Sequence, residues 1–514
     1  LNAAKLAQPN QRSLHAKENP KLTDVNVAVL ASAQALHMWT APYPTSVSRR
    51  VSSGCGAVHS SEGAPPKCYA LLAFLALMGC DKRIPEAAVA SNSNAALPAA
   101  APARRGCDSG NGGITLPAGF CAAVFADNIG HARHLAVSPT GIVYANTWSS
   151  QYTGMSNTPG GFVVAMRDAD GDGHAETIER FGTEYQRGES GGGTGIRVHG
   201  DWLYVEADGS IVRYGLSSGS LRPKTKPETI LSGMPLDGDH PMHPFVIMPN
   251  DVMYVNSGSA TNSCQVTNRT RESPGRMPCP ELSIRAGIWS YAANIPLQVF
   301  SRDGRYATGA RNSVALAEYG DALYAAIQGR DQLSDNWPKL YTDEQNSELP
   351  AEMLARVNEG DDFGWPYCYF DPVQSKYVLA PEYGGDGGKA EDHCFEKKRP
   401  DMSFPAHWSP VSLVFYTGSS FADHYHDGAF VAFHGSWNRK PRQAGYLVAF
   451  VPFIDGKPSG PYEGFATDFA GPHLPADPKE ALYRPMGLAV SPDGALYVSD
   501  DTKGRIWRII YIGN

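Results

Sequence analysis

Along this chain, short apolar runs alternate with Pro/Gly turns, and one arrangement of them keeps returning. Its clearest copy is residues 484–509, RPMGLAVSPDGALYVSDDTKGRIWRI: a small apolar strand, a Pro/Gly turn, a second strand carrying Leu-Tyr-Val, and a third with an aromatic. Degraded copies begin near Arg133, Gly193, His240, Arg311 and His407. Apolar runs of this length bounded by turn residues read as strands, and their regular recurrence reads as repeated sheet units. Six copies predict an all-β chain, a six-bladed β-propeller of four-stranded antiparallel blades over residues 107–514. Helical periodicity is scarce, and its clearest instance is the amphipathic run at 350–357, PAEMLARV.

The first hundred residues break the pattern. Residues 69–79 (YALLAFLALMG) are apolar and follow Lys67, but eleven residues are too few to span a bilayer. They read as a signal-peptide core, and Leu-Met-Gly-Cys ending at Cys80 resembles the lipobox of bacterial lipoproteins, with an ordinary buried apolar segment as the plainer alternative. On this reading 67–80 is the signal, and 81–106 is an Ala/Pro-rich tether. Residues 1–66 lack periodicity and are expected to be a disordered extension, a mis-set start or part of a fragment. A lipid on Cys80 would be the membrane attachment, and the domain would face the periplasm or cell envelope.

Composition narrows the partners. The 514 residues can bury a large core, and 53 Gly and 39 Pro supply many turns. A net charge of -8 with 19% charged residues gives no basic surface for nucleic acid. Of nine cysteines, Cys55 and Cys68 precede the expected cleavage site and Cys80 would carry lipid, leaving six. An even remainder suits an oxidising compartment, and proximity pairs Cys107 with Cys121, Cys264 with Cys279, and Cys368 with Cys394. None of these couples has the spacing of a zinc knuckle.

One metal signal is legible from spacing. Asp168, Asp170, Asp172, Gly173 and Glu179 follow the D-x-D-x-D-G-x5-E rule of a calcium loop, with oxygen ligands at alternate positions. The flanks GFVVAMR and IERFG read as strands, so the expectation is a calcium-stapled hairpin, against a solvated acidic turn.

The fold alone serves many functions, so the motifs at the blade edges must decide. DGDHPMHP (237–244), GARNS (309–313), AIQGRDQ (326–332), FGWPYCYF (363–370), AFHGSWNR (432–439) and YRPMG (483–487) stand in order along the chain. With LPAGFCAAVFADNIGHARHLAV (116–137) they resemble the pyrroloquinoline-quinone (PQQ)-dependent sugar dehydrogenases, particularly the sorbosone and pyranose dehydrogenase branch, over 116–511. The resemblance implies a cofactor that is a planar ortho-quinone with three carboxylates, which calls for guanidinium and amide donors. It places Arg311, Asn312 and Gln328 at the cofactor, with Arg484 from the last repeat and Arg133 from the first. Asn438 and Arg439 lie where soluble glucose dehydrogenases place a lysine. An arginine opening a blade can equally pair with a neighbouring carboxylate.

The same resemblance makes His240 the base that takes the hydroxyl proton, with Asp239 orienting the sugar or tuning the imidazole; His243 and His434 are rivals that read better as structural. It implies calcium held by the carbonyls of Gly329 and Arg330. The substrate class is a sugar or sugar aldehyde. Electrons would pass to a separate cytochrome or quinone, since no CxxCH haem motif occurs in the chain. A calcium-dependent lactonase-type hydrolase and a non-catalytic ligand-binding propeller are the other classes. The first needs Glu, Asn and Asp around one calcium, whereas Arg and His stand at the blade starts.

Overall fold

The computed structural model describes residues 106–389, 392–440 and 442–513. The expected extension, signal segment with Cys80, and tether up to residue 105 lie outside the described residues. The described residues form six four-stranded antiparallel blades. Blade 1 is Ala132–Val137, Val143–Ser149, Val163–Arg167 and Thr177–Phe181; blade 2 is Ile196–His199, Trp202–Ala207, Ser210–Gly215 and Glu228–Ser232. Blade 3 comprises Phe245–Ile247, Val252–Ser257, Gly287–Ala292 and Arg305–Thr308; blade 4, Ala315–Tyr319, Ala322–Ile327, Glu352–Val357 and Met402–Phe404. Blade 5 is Pro410–Phe415, Ala429–His434, Tyr446–Val451 and Glu463–Ala466. Blade 6 takes Pro485–Val490, Leu496–Asp500 and Ile506–Tyr511 from the end of the chain and its outer strand, Phe120–Ala126, from much earlier.

That last pairing closes the ring. Phe120–Ala126 runs antiparallel to Ile506–Tyr511, with Val124 opposite the buried Trp507. Each first strand also packs against those of its two neighbours, so the six surround a central axis. Their apolar side chains are buried between blades, which leaves no exposed edge at the closure.

Where the inner strands end at one mouth, their backbone groups leave the ladder and need other partners. Polar groups from the second strand of one blade supply them to the next. The Asn146 amide donates to Gly195 O (2.9 Å), the Glu206 carboxylate accepts from His243 N (2.6 Å), and Asn256 Oδ1 accepts from Ser313 N (2.9 Å). Gln328 donates to Pro410 O (3.0 Å) and Ser499 Oγ to Arg133 O (2.6 Å); between blades 5 and 6 the direction reverses, Arg484 Nε donating back to His434 O (2.9 Å). The opening residues of the repeats are thereby gathered round one mouth.

Residues 350–357 depart from the helical expectation. Glu352–Val357 is the third strand of blade 4, between Ala322–Ile327 and Met402–Phe404. Met353 and Leu354 are both buried on opposite faces, because neighbouring blades cover both sides of this strand. A continuous apolar run of that length cannot be separated from a helix by periodicity. The disulfides are those that proximity suggested: Cys107–Cys121, Cys264–Cys279 and Cys368–Cys394. The first lies beside the closing strand, and the second staples the loop after the second strand of blade 3.

The acidic hairpin differs from its expectation in one ligand. Val163–Arg167 and Thr177–Phe181 pair antiparallel, and Asp168, Asp170, Asp172 and Glu176 bring carboxylate oxygens within 4.8 Å of one another. Glu179 is not among them: it lies in the second strand and pairs with Arg222 at 3.1 Å. The carboxylates cap their own turn, Asp168 accepting from Gly171 N (2.6 Å) and Gly173 N (2.9 Å), and Glu176 from Ala169 N (2.6 Å).

Candidate active site at the propeller mouth

At the mouth where the repeats open lies a cavity of about 470 Å³. Its apolar surface comes from Met242, Val314, Val411 and Met486, all at or near the starts of inner strands. Its polar groups fall into two clusters, each centred on one buried aspartate.

The first cluster is built by blades 3 and 4. Asp331 Oδ2 accepts from Arg311 Nη2 at 2.7 Å and from Arg269 Nη2 at 3.2 Å, while Oδ1 accepts from the Asn438 amide at 3.1 Å. Burial opposes the charge on Asp331, but the Arg311 and Arg269 guanidinium groups overcome it and hold the carboxyl well below the usual range. Arg311 also donates from Nε to Asn262 O (3.0 Å), from Nη2 to Asn262 Oδ1 (3.1 Å), and from Nη1 to Gly329 O (2.7 Å). Four of its five N–H donors are therefore committed within the protein. Arg269 reaches in from the loop stapled by Cys264–Cys279 and also grips Asp239, with Nε and Nη2 both 2.9 Å from Oδ2.

His240 stands within this frame, only 8% exposed. Its Nδ1 lies 2.8 Å from Ser259 O, an acceptor only, so the ring proton sits on Nδ1. Nε2 has no hydrogen-bond partner among the described residues, and the residue lines the cavity. Burial and the nearby Arg311 charge push the imidazole down to about 3, so it stays neutral at ordinary pH. The fit behind it is tight: a Cβ on Gly258 would stand 2.5 Å from His240 Cβ and 2.7 Å from Asn312 Oδ1. Asn312 in turn donates to Gln328 Oε1 at 3.0 Å. Glu352, on the wall beside them, accepts from Gly329 N (2.9 Å) and Ser409 N (3.1 Å), and burial pushes its carboxyl up to about 8 despite these bonds.

The second cluster joins blades 1, 5 and 6. Asp501 forms an ion pair with Arg133 and accepts a hydrogen bond from His434 Nε2 at 2.8 Å; burial pushes His434 down to about 4, assisted by Arg484. Arg484 donates from Nε to His434 O and from Nη2 to Gly435 O (2.7 Å), leaving three donors unspent. Among the described residues it is the cavity arginine with no carboxylate in ion-pair reach.

A proposed cofactor residue is turned away. Arg439 does not line the cavity; it donates to Ser347 O, to Ala406 O (2.8 Å) and to Glu348 (2.9 Å), anchoring the short helix Asp343–Glu348. The Arg330 side chain pairs with buried Glu382 at 2.5 Å; the expectation for this residue concerns its carbonyl, which that pairing does not touch. His243 is fully buried, with its ring nitrogens facing Asn256 O (3.0 Å) and Pro235 O (2.9 Å), a structural placement. Asp331 and Asp501 lie within the quoted stretches AIQGRDQ and 484–509 but have no role assigned to them there. Arg269 and Glu352 carried no local signal at all.

The donor set suits a planar, anionic, polar-edged group. The volume lies in the range of roughly 300–1,000 Å³ that takes cofactor-sized molecules. The apolar side chains can face a flat ring system and Arg484 has donors for a carboxylate; Asn438, proposed for the cofactor, does not line the cavity and gives its amide to Asp331. For a hard cation the wall beside His240 offers Gly329 O, which also accepts from Arg311, and the Glu352 carboxyl.

Comparison with known proteins agrees. An uncharacterized protein of Borreliella burgdorferi is 28% identical over 217 residues, 40% of this chain and 48% of that protein. A PQQ-dependent pyranose dehydrogenase of Coprinopsis cinerea is 29% identical over 230 residues, 39% of this chain and 30% of that protein. The chain thus spans less than half the length of these curated relatives. Among solved structures, the iodide structure of a Trichoderma reesei carbohydrate-active enzyme of family AA12 superposes with TM-score 0.59 at 18% identity, covering 78% of this chain and 98% of that one. The holo form of the Coprinopsis cinerea pyranose dehydrogenase PQQ domain gives 0.57 at 19%, covering 77% and 97%, and both show the same fold. The model of the TrAA12-like family matches residues 114–511, and the chain belongs to that family.

Proposed function

We propose that the protein is an oxidoreductase that oxidises a sugar or sugar aldehyde with PQQ and calcium, passing electrons to a separate acceptor such as a cytochrome or quinone. The observation that carries this reading is His240: a neutral imidazole with its proton fixed on Nδ1 and Nε2 open to the cavity. Nε2 takes the substrate hydroxyl proton, and the imidazolium formed is stabilised by Ser259 O at Nδ1 and by the charges of Asp239 and Asp331. When bound, the ortho-quinone supplies the two-electron acceptor for the hydride leaving the carbinol carbon, and calcium polarises it. Arg484 would hold a cofactor carboxylate, Asn312 and Gln328 line the cavity in the other cluster, and Gly329 O with the Arg330 carbonyl would hold the cation. Arg311 acts mainly by fixing Asn262, Gly329 and Asp331. Arg133 keeps Asp501 charged rather than meeting the cofactor first. A lipid on Cys80 would tether the domain at the cell envelope.

A lactonase is less well supported, because Asp239, Asp331 and Asp501 are each paired with arginine and do not converge as free ligands. The test is to load the protein with PQQ and calcium and follow reduction of an artificial dye with aldoses and sugar aldehydes. His240→Ala is expected to lower turnover by about 10²–10⁴-fold while retaining cofactor affinity. Failure to bind PQQ ends the dehydrogenase reading; undiminished turnover moves the base elsewhere.

A further inference from the structure

The mouth carries a feature the reaction at His240 does not use. Three aromatic side chains are among the large apolar groups exposed on the described residues: Tyr152, Phe395 and Trp437. Two of them, Tyr152 at 53% and Trp437 at 47% exposure, line this cavity. Each is fixed to the segment that carries the base. The Tyr152 hydroxyl donates to Gly238 O at 3.1 Å, and its ring lies 6.1 Å from that of Trp148. Trp437 has the Arg269 guanidinium 5.4 Å from its ring centroid, and Arg269 is held by Asp239 and Asp331. An indole seated on a clamped guanidinium loses little freedom when something stacks on it, so its exposed surface is prepared for a ligand.

The depth of the site says where that ligand lies. His240 is almost fully buried, whereas Trp437 and Tyr152 are half exposed, so a sugar ring giving its hydroxyl to Nε2 lies inward of the rim. What meets the rim aromatics is whatever continues outward from that ring. Sugar rings present C–H faces to aromatic surfaces and hydroxyls to the polar edge, and the rim offers both kinds of surface.

We propose that Trp437, seated on Arg269 and accompanied by Tyr152, forms a stacking subsite for the second ring of a di- or oligosaccharide whose first ring is oxidised at His240. This rests on the sugar-oxidising reading for the first ring, but the subsite itself requires only saccharide binding. Calorimetry on cofactor-free protein with glucose, maltose and cellobiose reads it directly. At least one disaccharide is expected to bind about tenfold tighter than glucose, a preference lost in Trp437→Ala and kept in Trp437→Phe. With PQQ loaded, the disaccharide-to-glucose ratio of kcat/KM is expected to fall by a similar factor in the alanine variant alone. Equal affinity for glucose and both disaccharides in the unmodified protein overturns the proposal. So does a loss of PQQ affinity in Trp437→Ala as large as the loss for disaccharide, which would give the indole to the cofactor. If dye is not reduced with any sugar, yet the disaccharide preference and its dependence on Trp437 persist, the dehydrogenase reading falls and the subsite stands.

Discussion

The two halves of the mouth are built alike and finished differently. Each centres on one buried aspartate that cationic neighbours keep ionised, Asp331 between blades 3 and 4 and Asp501 between blades 1, 5 and 6. Around Asp331 both arginines are spent on the protein, and the second of them arrives on a disulfide-stapled arm. Around Asp501 each arginine spends two donors and keeps three, but Arg133 is held by the Asp501 carboxylate whereas Arg484 gives its two to backbone carbonyls and has no carboxylate partner among the described residues. The Asp331 half is a rigid frame for a base; the Asp501 half has the capacity to take an anion. An arginine at a blade start therefore has no fixed meaning, and its role depends on how many donors its neighbours consume.

The strongest way to break this comparison is to remove the frame. Asp331→Asn leaves the Arg311 and Arg269 charges together in a buried site, and is expected to cost about 3–5 kcal/mol of stability by denaturant unfolding. Asp501→Asn, which strands one buried arginine beside a neutral histidine, is expected to cost less. Equal losses would remove the distinction between frame and receptor. Next in size is the anion-binding half: Arg484→Gln is expected to weaken PQQ about tenfold to a hundredfold in a fluorescence titration. Arg439→Gln, bonded to Ser347, Ala406 and Glu348 outside the cavity, is expected to leave that titration unchanged.

The smallest effect sharpens the base. Because burial and Arg311 hold His240 at about 3, its active neutral form persists far below pH 6.5. The acid limb of kcat/KM from this group is therefore expected well under the ordinary histidine range. Arg311→Lys, which keeps the charge but not the fork that places it, is expected to move that limb upward. A limb fixed near pH 6.5 in both proteins would mean that the titrating group is not a buried His240.

Much of this molecule was legible early for a physical reason: its information is local and repeated. Strand, turn and strand lie within some 25 residues in the copy at 484–509, and the disulfides close loops of 14, 15 and 26 residues. The order of motifs brought His240, Asn312, Gln328 and Arg484 to attention before any geometry. What stayed hidden depends on encounters between distant segments. Arg439 and Arg484 look equivalent as blade-edge arginines, yet one meets a helix carbonyl and the other the cavity. Glu352 was assigned to a helix because a strand buried on both faces has no alternation to betray it. Glu179 satisfied a spacing rule, but in a strand its side chain leaves the turn, and Glu176 replaces it.

The sequence by itself determined the blade count, the order of the blades and the opening residues that gather at one mouth, because hydrophobic alternation and turn chemistry act between near neighbours. Only the tertiary structure decided which carboxylate claims which arginine, that Arg269 crosses from its loop to Asp239 and Asp331, and that Phe120–Ala126 closes blade 6. Ring closure brings Arg133 to Asp501, while Arg269 and Arg311 meet Asp331 from neighbouring segments; in both cases groups from separate parts of the chain compete for the same few donors.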